Sequence, residues 1–177
     1  MSDDNYWKDR YKDFWGAGAD KEKAVAKRVE DDTGLKVELV GFGAGSSEYL
    51  PGKASSHDHE KGSADLHVVG TNVYLEVTGP FSKFVKEAEP IWVRPDKIEN
   101  AKTHASQNKT VVVHVLASNG LMRVISLNED FLARYDQGEF PVVEPTIRGT
   151  KETYISIPAN HEVVRTWSDF VGYLAGL

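Results

Sequence analysis

Two acids flank a short turn: Asp65 in Gly62-Ser63-Ala64-Asp65-Leu66-His67-Val68-Val69, and Glu76 in Val73-Tyr74-Leu75-Glu76-Val77-Thr78-Gly79. Between them Gly70-Thr71 reads as a two-residue hairpin loop, with glycine in the first central place that a type II′ turn wants. Such a loop pairs Val69 with Asn72 and brings Asp65 directly opposite Glu76. Opposed residues on antiparallel strands hold their Cβ atoms roughly 4.5–5.5 Å apart, and like charges there repel. A fold that keeps two carboxylates in that relation calls for a cation between them. Mg2+ (or Mn2+) is the expected ion, because magnesium is satisfied by one or two carboxylates plus water and phosphate oxygens. Zinc asks for more nitrogen or sulfur. The blander reading of the same residues is a surface hairpin that happens to carry two acids.

The elements around the hairpin decide between these readings. Side chains alternate along a strand. Asp65, His67 and Val69 therefore share a face with Tyr74, Glu76 and Thr78, while Leu66, Val68, Val73, Leu75 and Val77 form an apolar face turned to a core. Upstream, Asp20 could cap a helix over Glu22–Asp32 that stops at Gly34. Glu22, Val25, Ala26, Val29 and Thr33 form one stripe of it. Glu22 thus lies in line with a buried face, or is a first-turn acid favoured by the helix dipole. Leu35–Val40 alternates as a strand. Downstream, residues 81–89 read as a short helix or a loop, and Pro95 opens a helix to about Gln107 with Lys97 beside Ile98. Thr110–Leu116 is a nearly continuous apolar run, suited to a central strand covered on both faces. Asn119-Gly120 makes a turn before a strand at Leu121–Leu127, and Asn128 could cap a helix through Tyr135. Tyr154–Ile157 reads as a short strand. His161–Leu174 reads as an amphipathic helix.

Tyr6, Trp7, Tyr11, Phe14 and Trp15 mark one face of an N-terminal helix over residues 1–19, an extension to a single domain at 20–177. Its core spans 20–127, with helical additions over 128–177. Gly41–Ser47 lacks the Gly-Lys-Ser/Thr ending of a phosphate loop. His57-Asp58-His59-Glu60 lies in the long loop that follows, where a solvated role outweighs a ligand role.

Composition narrows the classes. The 177 residues suffice for one domain with a real core, and 40% hydrophobic with 27% charged residues is globular rather than disordered. The chain has no cysteine, so disulfides and thiolate metal sites are excluded. No apolar run approaches a membrane span, and the acidic, aromatic N-terminus does not read as a signal peptide. A soluble cytoplasmic protein is expected. The net charge of −6 argues against tight nonspecific nucleic-acid binding through basic residues. It does not argue against an enzyme whose metal neutralises its own acids.

Helix with a glutamate, strand, hairpin with Asp65 and Glu76, helix, strand: this order resembles the PD-(D/E)xK nuclease superfamily, of which archaeal Holliday-junction resolvases are compact members. The likeness covers about residues 20–127. It rests on Ala64-Asp65-Leu66 followed by Glu76-Val77-Thr78. It implies an α/β fold with a restriction-endonuclease-like core, a mixed central sheet flanked by helices. It also implies a magnesium-dependent endonuclease hydrolysing DNA, with Asp65 and Glu76 on the metal. The family's helix-borne glutamate falls best on Glu22, with Glu30 as fallback. The family's lysine stands two residues after Glu76, where this chain has Thr78. Some members carry the lysine on the next helix, which gives the role to Lys97 (or Lys102). Lys83, Lys86 and Arg94 would touch backbone phosphates.

Thr78 and the negative charge also suit a non-catalytic module of the same fold that binds nucleic acid or a protein. A third reading docks the aromatic N-terminal helix on a partner or on a second copy of the chain, as a homodimer.

Overall fold

The computed structural model describes residues 16–40, 65–80, 82–147 and 149–177. The aromatic stretch 6–15, the glycine-rich run 41–47 and the His57–Glu60 segment lie outside the described residues.

Period-2 alternation and a 3.6-residue stripe produce a central sheet with a layer on each face. Helix α1 (Gly16–Thr33) leads into β1 (Val37–Leu39), β2 (Leu66–Val68) and β3 (Val73–Thr78). After β4 (Ile91–Val93) and α2 (Pro95–His104) come β5 (Lys109–Val115) and β6 (Met122–Ser126). Helix α3 (Glu129–Asp136), the short strands β7 (Val142–Val143), β8 (Thr146–Ile147) and β9 (Thr150–Lys151), β10 (Tyr154–Ile157), β11 (Val164–Thr166) and α4 (Trp167–Ala175) complete the chain. The main sheet runs β1-β2-β3-β5-β6-β11, and a smaller one runs β4-β10-β7. The main sheet is mixed: β3 and β5 pair in parallel, and its other pairs are antiparallel. A mixed central sheet flanked by helices is the fold class expected from the sequence.

Strand β5 shows why its apolar run is continuous. Val111, Val113 and Val115 join Val25, Val29, Leu66, Leu75 and Trp167 in one core under α1 and α4. Val112, facing the other way, joins Ile98, Ile125, Phe131 and Ile155 in a second core under α2, α3 and the small sheet. Both faces are covered, as a run without polar alternation requires.

Several boundaries differ from the sequence-based expectation. Helix α1 is already formed at Gly16, before Asp20, so Glu22 is not a first-turn acid. Its end is as expected: the Gly34 amide, at φ +76°, closes on the Glu30 carbonyl at 2.9 Å. Residues 82–90 form turns, not a helix. The stretch expected as helix from His161 instead starts as strand β11, where Val164 pairs with Ile125 of β6. A capping box formed by Thr166 and Asp169 then starts α4 at Trp167. No helix among the described residues is long and apolar enough to cross a membrane.

Candidate active site

Leu66 pairs with Leu75 and His67 with Tyr74, the register predicted from the turn. The turn itself is set differently. The Thr71 amide closes on the Val68 carbonyl at 3.2 Å, so Val69 and Gly70 are the central residues. Gly70, at φ +88°, takes the third position, where a positive φ favours glycine.

The mouth of the hairpin departs from ideal pairing. Asp65 lies just before β2, and its amide donates to the Leu75 carbonyl at 3.0 Å. Its carboxylate Oδ2 accepts from the Val77 amide at 3.0 Å. Asp65 therefore holds the backbone on both sides of Glu76 instead of standing directly opposite it. The carboxylate takes over a ladder bond that a regular strand would make with its backbone, which fixes the side chain against β3.

Glu76 points to the second core. It pairs with Val112 in the parallel ladder, so the surface that alternation marks as polar is roofed by protein rather than open. Glu76 is 5% exposed and Asp65 3%. From α2, Lys97 reaches Glu76, its Nζ 3.1 Å from Oε1. Lys97 stands in the first turn of α2, whose start Pro95 sets at Arg94. A cation at that end of a helix works against the macrodipole. The carboxylates opposite account for its position.

The charges are tightly coupled. Burial pushes the Glu76 carboxyl well above its ordinary value, and the Asp65 charge pushes it further, against the pull of Lys97. Burial also raises Asp65, while Lys97 and the Val77 amide act to lower it. Burial by itself would lower Lys97, but the Glu76 and Asp65 charges outweigh it and hold the ammonium above its usual range. Oε2 of Glu76 is buried and receives no N–H from the protein, while the Glu76 and Asp65 carboxyls lie within hydrogen-bonding reach of each other. The site is short of positive charge, and one carboxylate oxygen is left for another donor.

Glu22 is 3% exposed on α1, a helix packed on β1 and β3. It lies in line with Val25, Ala26 and Val29, all fully buried. Glu30, the fallback, accepts from the Val37 amide at 2.8 Å and so fastens the start of β1. Lys102, the alternative lysine, is held by Asp136 at 2.7 Å on the surface. Lys83 and Lys86 are exposed in the 82–90 loop, and exposed Arg94 pairs with Asp96 at 3.1 Å. Among the described residues no three His, Asp or Glu side chains form a metal cluster. Asp65, Glu76 and Lys97 are thus brought together, Glu22 is buried on a neighbouring layer, and the remaining basic residues stay at the surface.

Sequence reasoning missed His114. It pairs with Thr78 across β3 and β5 and is 4% exposed. Burial, then Arg123 and Lys21, lowers its pKa to about 4, so the imidazole is neutral. A histidine inside a run of valines was the available signal. Next to it, Trp92 stacks on Tyr154 with ring centroids 5.6 Å apart, a neighbourhood that depends on the pairing of β4 with β10.

No family model matches the chain, and no curated protein does. Among solved structures, it is similar to that of D212, a nuclease from a fusselovirus. The identity is 14%, over 95% of this chain and 90% of that one, with a TM-score of 0.48.

Proposed function

We propose that the protein is a metal-dependent nuclease hydrolysing DNA phosphodiester bonds on a restriction-endonuclease-like core. The observation that carries this reading is the meeting of Asp65, Glu76 and Lys97, from three separate elements, at one buried point of the sheet.

The residues present fit a magnesium or manganese ion. Two carboxylates are the protein share that magnesium usually takes. Oε2 of Glu76, which receives no N–H from the protein, offers a ligand atom, and burial that favours protonation of the paired carboxyls is the condition a divalent cation would reverse. Such an ion supplies a polarised phosphate and a water of lowered pKa. Asp65 and Glu76 hold it. Asp65 is oriented by the Val77 amide, which leaves its carboxylate little rotational freedom. Lys97 keeps a positive charge beside the reacting phosphate, where negative charge develops. It takes the part of the lysine that Thr78 replaces. Glu22, buried on α1, would reach the ion through water or complete a second site. Lys83, Lys86 and Arg94 hold backbone phosphates, contacts that position the strand without reading sequence.

Linear and branched DNA incubated with the protein should be cut in magnesium or manganese, and not by Asp65→Ala. An absence of cleavage by wild type on every substrate, or an Asp65→Ala protein as active as wild type, would sink the reading.

The ion pair between Lys97 and Glu76 favours a second reading, a nuclease-fold module that binds without cutting, because the lysine already supplies one compensating charge. Calorimetric titration separates the two. Tight DNA binding with no heat of manganese binding supports the module.

A further inference from the structure

A cavity of about 480 Å³ opens beside the carboxylates, lined by Thr78, Gly79, Trp92, His114, Glu152 and Tyr154 among others. We infer that it receives an unpaired nucleobase of the nucleic-acid substrate. The inference rests on the nuclease reading and names the substrate's shape.

Four observations support a base rather than a phosphate or a peptide. The volume falls within the range of small-ligand sites. Trp92 is 39% exposed and is backed by Tyr154, its ring stacked at 25° on the tyrosine. A flat, half-open aromatic face held by a neighbour is a stacking platform.

The polar groups in the wall are acids and neutral donors. Glu152 accepts from the Tyr154 hydroxyl, and Glu89 accepts from the Lys86 amide at 2.7 Å. Carboxylates repel a phosphate and suit the exocyclic amino groups of adenine, cytosine or guanine. His114 accepts at Nδ1 from Arg123 at 3.4 Å, so its neutral ring carries the proton on Nε2 and can donate.

Among the described residues no lysine or arginine lines this wall, and Arg123 and Lys21 stand behind His114. Lys83 and Lys86 are exposed in the loop that contributes Ser82, Val85 and Glu89 to the cavity, and Arg94 follows the strand bearing Trp92. A basic rim around an acidic, aromatic interior matches a nucleotide whose base enters and whose phosphates stay out.

Position completes the argument. Thr78 lines the cavity and follows Glu76 by two residues on β3, so both point to the same face. Two residues of strand span roughly 6–7 Å. A base held in the cavity would hang its phosphodiester near Asp65 and Glu76. The substrate is then a single strand, a loop or a branch point with a base already free of pairing. Extracting a base from intact duplex costs unstacking energy that such substrates avoid.

The test uses the full chain with EDTA, so that nothing is cut, and a single-stranded oligonucleotide carrying one 2-aminopurine. The comparison strands are the same sequence with an abasic residue at that position and the fully paired duplex. The base-bearing strand should bind about 5- to 150-fold more tightly than the abasic one, the range of one base stacked on an aromatic ring. Fluorescence should be quenched on binding. Trp92→Ala should erase the difference between the two strands, and Trp92→Phe should keep most of it. Equal affinity for the base and abasic strands would overturn the inference. So would a Trp92→Ala variant that weakens both strands alike, or free adenosine binding as tightly as the strand. Cleavage by wild type with no base preference would sink the pocket and leave the nuclease standing. Trp92-dependent base selectivity in a protein that never cuts would support the pocket and sink the hydrolase.

Discussion

Replacing Lys97 with methionine keeps most of the side chain's length and removes its charge. The ammonium lies 3.1 Å from Glu76 Oε1, with the two side chains 19% and 7% exposed. Unit charges at that separation attract by about 5 kcal/mol at an effective dielectric constant near 20. Desolvation of both groups offsets part of this, and breaking a buried pair typically costs roughly 3–5 kcal/mol because a charge is left uncompensated. Glu76 has an escape, which is to take up a proton. Its folded pKa already lies above the unfolded value of 4.5, and loss of Lys97 raises it further. A carboxyl with a raised folded pKa contributes stability that is fully present at acid pH. That stability is lost as pH climbs from the unfolded value through the folded one. Lys97→Met should therefore cost about 3 kcal/mol or more at pH 8 and much less at pH 5. Adding Glu76→Gln should restore most of the loss at pH 8. Urea unfolding at both pH values, with the slope of free energy on denaturant unchanged, measures this directly. A cost below about 1 kcal/mol at pH 8, or an equal cost at both pH values, would refute the claim that Lys97 compensates the buried carboxylates.

His114 should give the opposite pH dependence. Its folded pKa of about 4 lies below the ordinary 6.5, so its neutral form contributes stability above pH 6.5 that is lost as pH falls toward 4. The difference corresponds to about 3 kcal/mol. His114→Asn should flatten that part of the stability curve in denaturant melts, and an unchanged slope would count against a buried neutral imidazole. Asn128 caps α3 by accepting from the Phe131 amide at 2.9 Å. Asn128→Ala should cost about 1 kcal/mol, read as a lower melting temperature in calorimetry.

Much of the candidate site is legible in sequence because it lies on a hairpin. Period-2 alternation and one glycine turn suffice to place Leu66 on Leu75 and to send Glu76 away from the first core. The slip at Asp65 is not legible, because it depends on a carboxylate replacing a backbone ladder partner. Lys97 followed from the resemblance together with the proline that opens α2. The depth of Glu22 was half visible: its stripe pointed inward, but a helix already formed before Asp20 was not foreseen. The C-terminal region misled for a specific reason. Val163, Val164 and Trp167 have helical spacing, yet Val164–Thr166 are drawn into the sheet by β6, and the Thr166 to Asp169 capping signal was passed over. The small sheet and the cavity could not be read locally. Strands β7, β8 and β9 have two residues each, too few for any periodicity, and Trp92 meets Tyr154 across 62 positions of chain.

The parallel pairing of β3 with β5 imposes an order on assembly. Parallel neighbours need a crossover, and here the crossover contains α2 and therefore Lys97. A hairpin closes in about 1–10 μs, while nonlocal pairing waits on a larger loop entropy. Asp65 and Glu76 thus approach each other in a nascent chain before their counterion arrives. Two anions brought together early favour a proton in the gap, so the chain should collapse more readily at mildly acid pH than at alkaline pH. The arrival of α2 then sets a positive charge beside the pair, which makes the lysine the last piece of the site to fall into place.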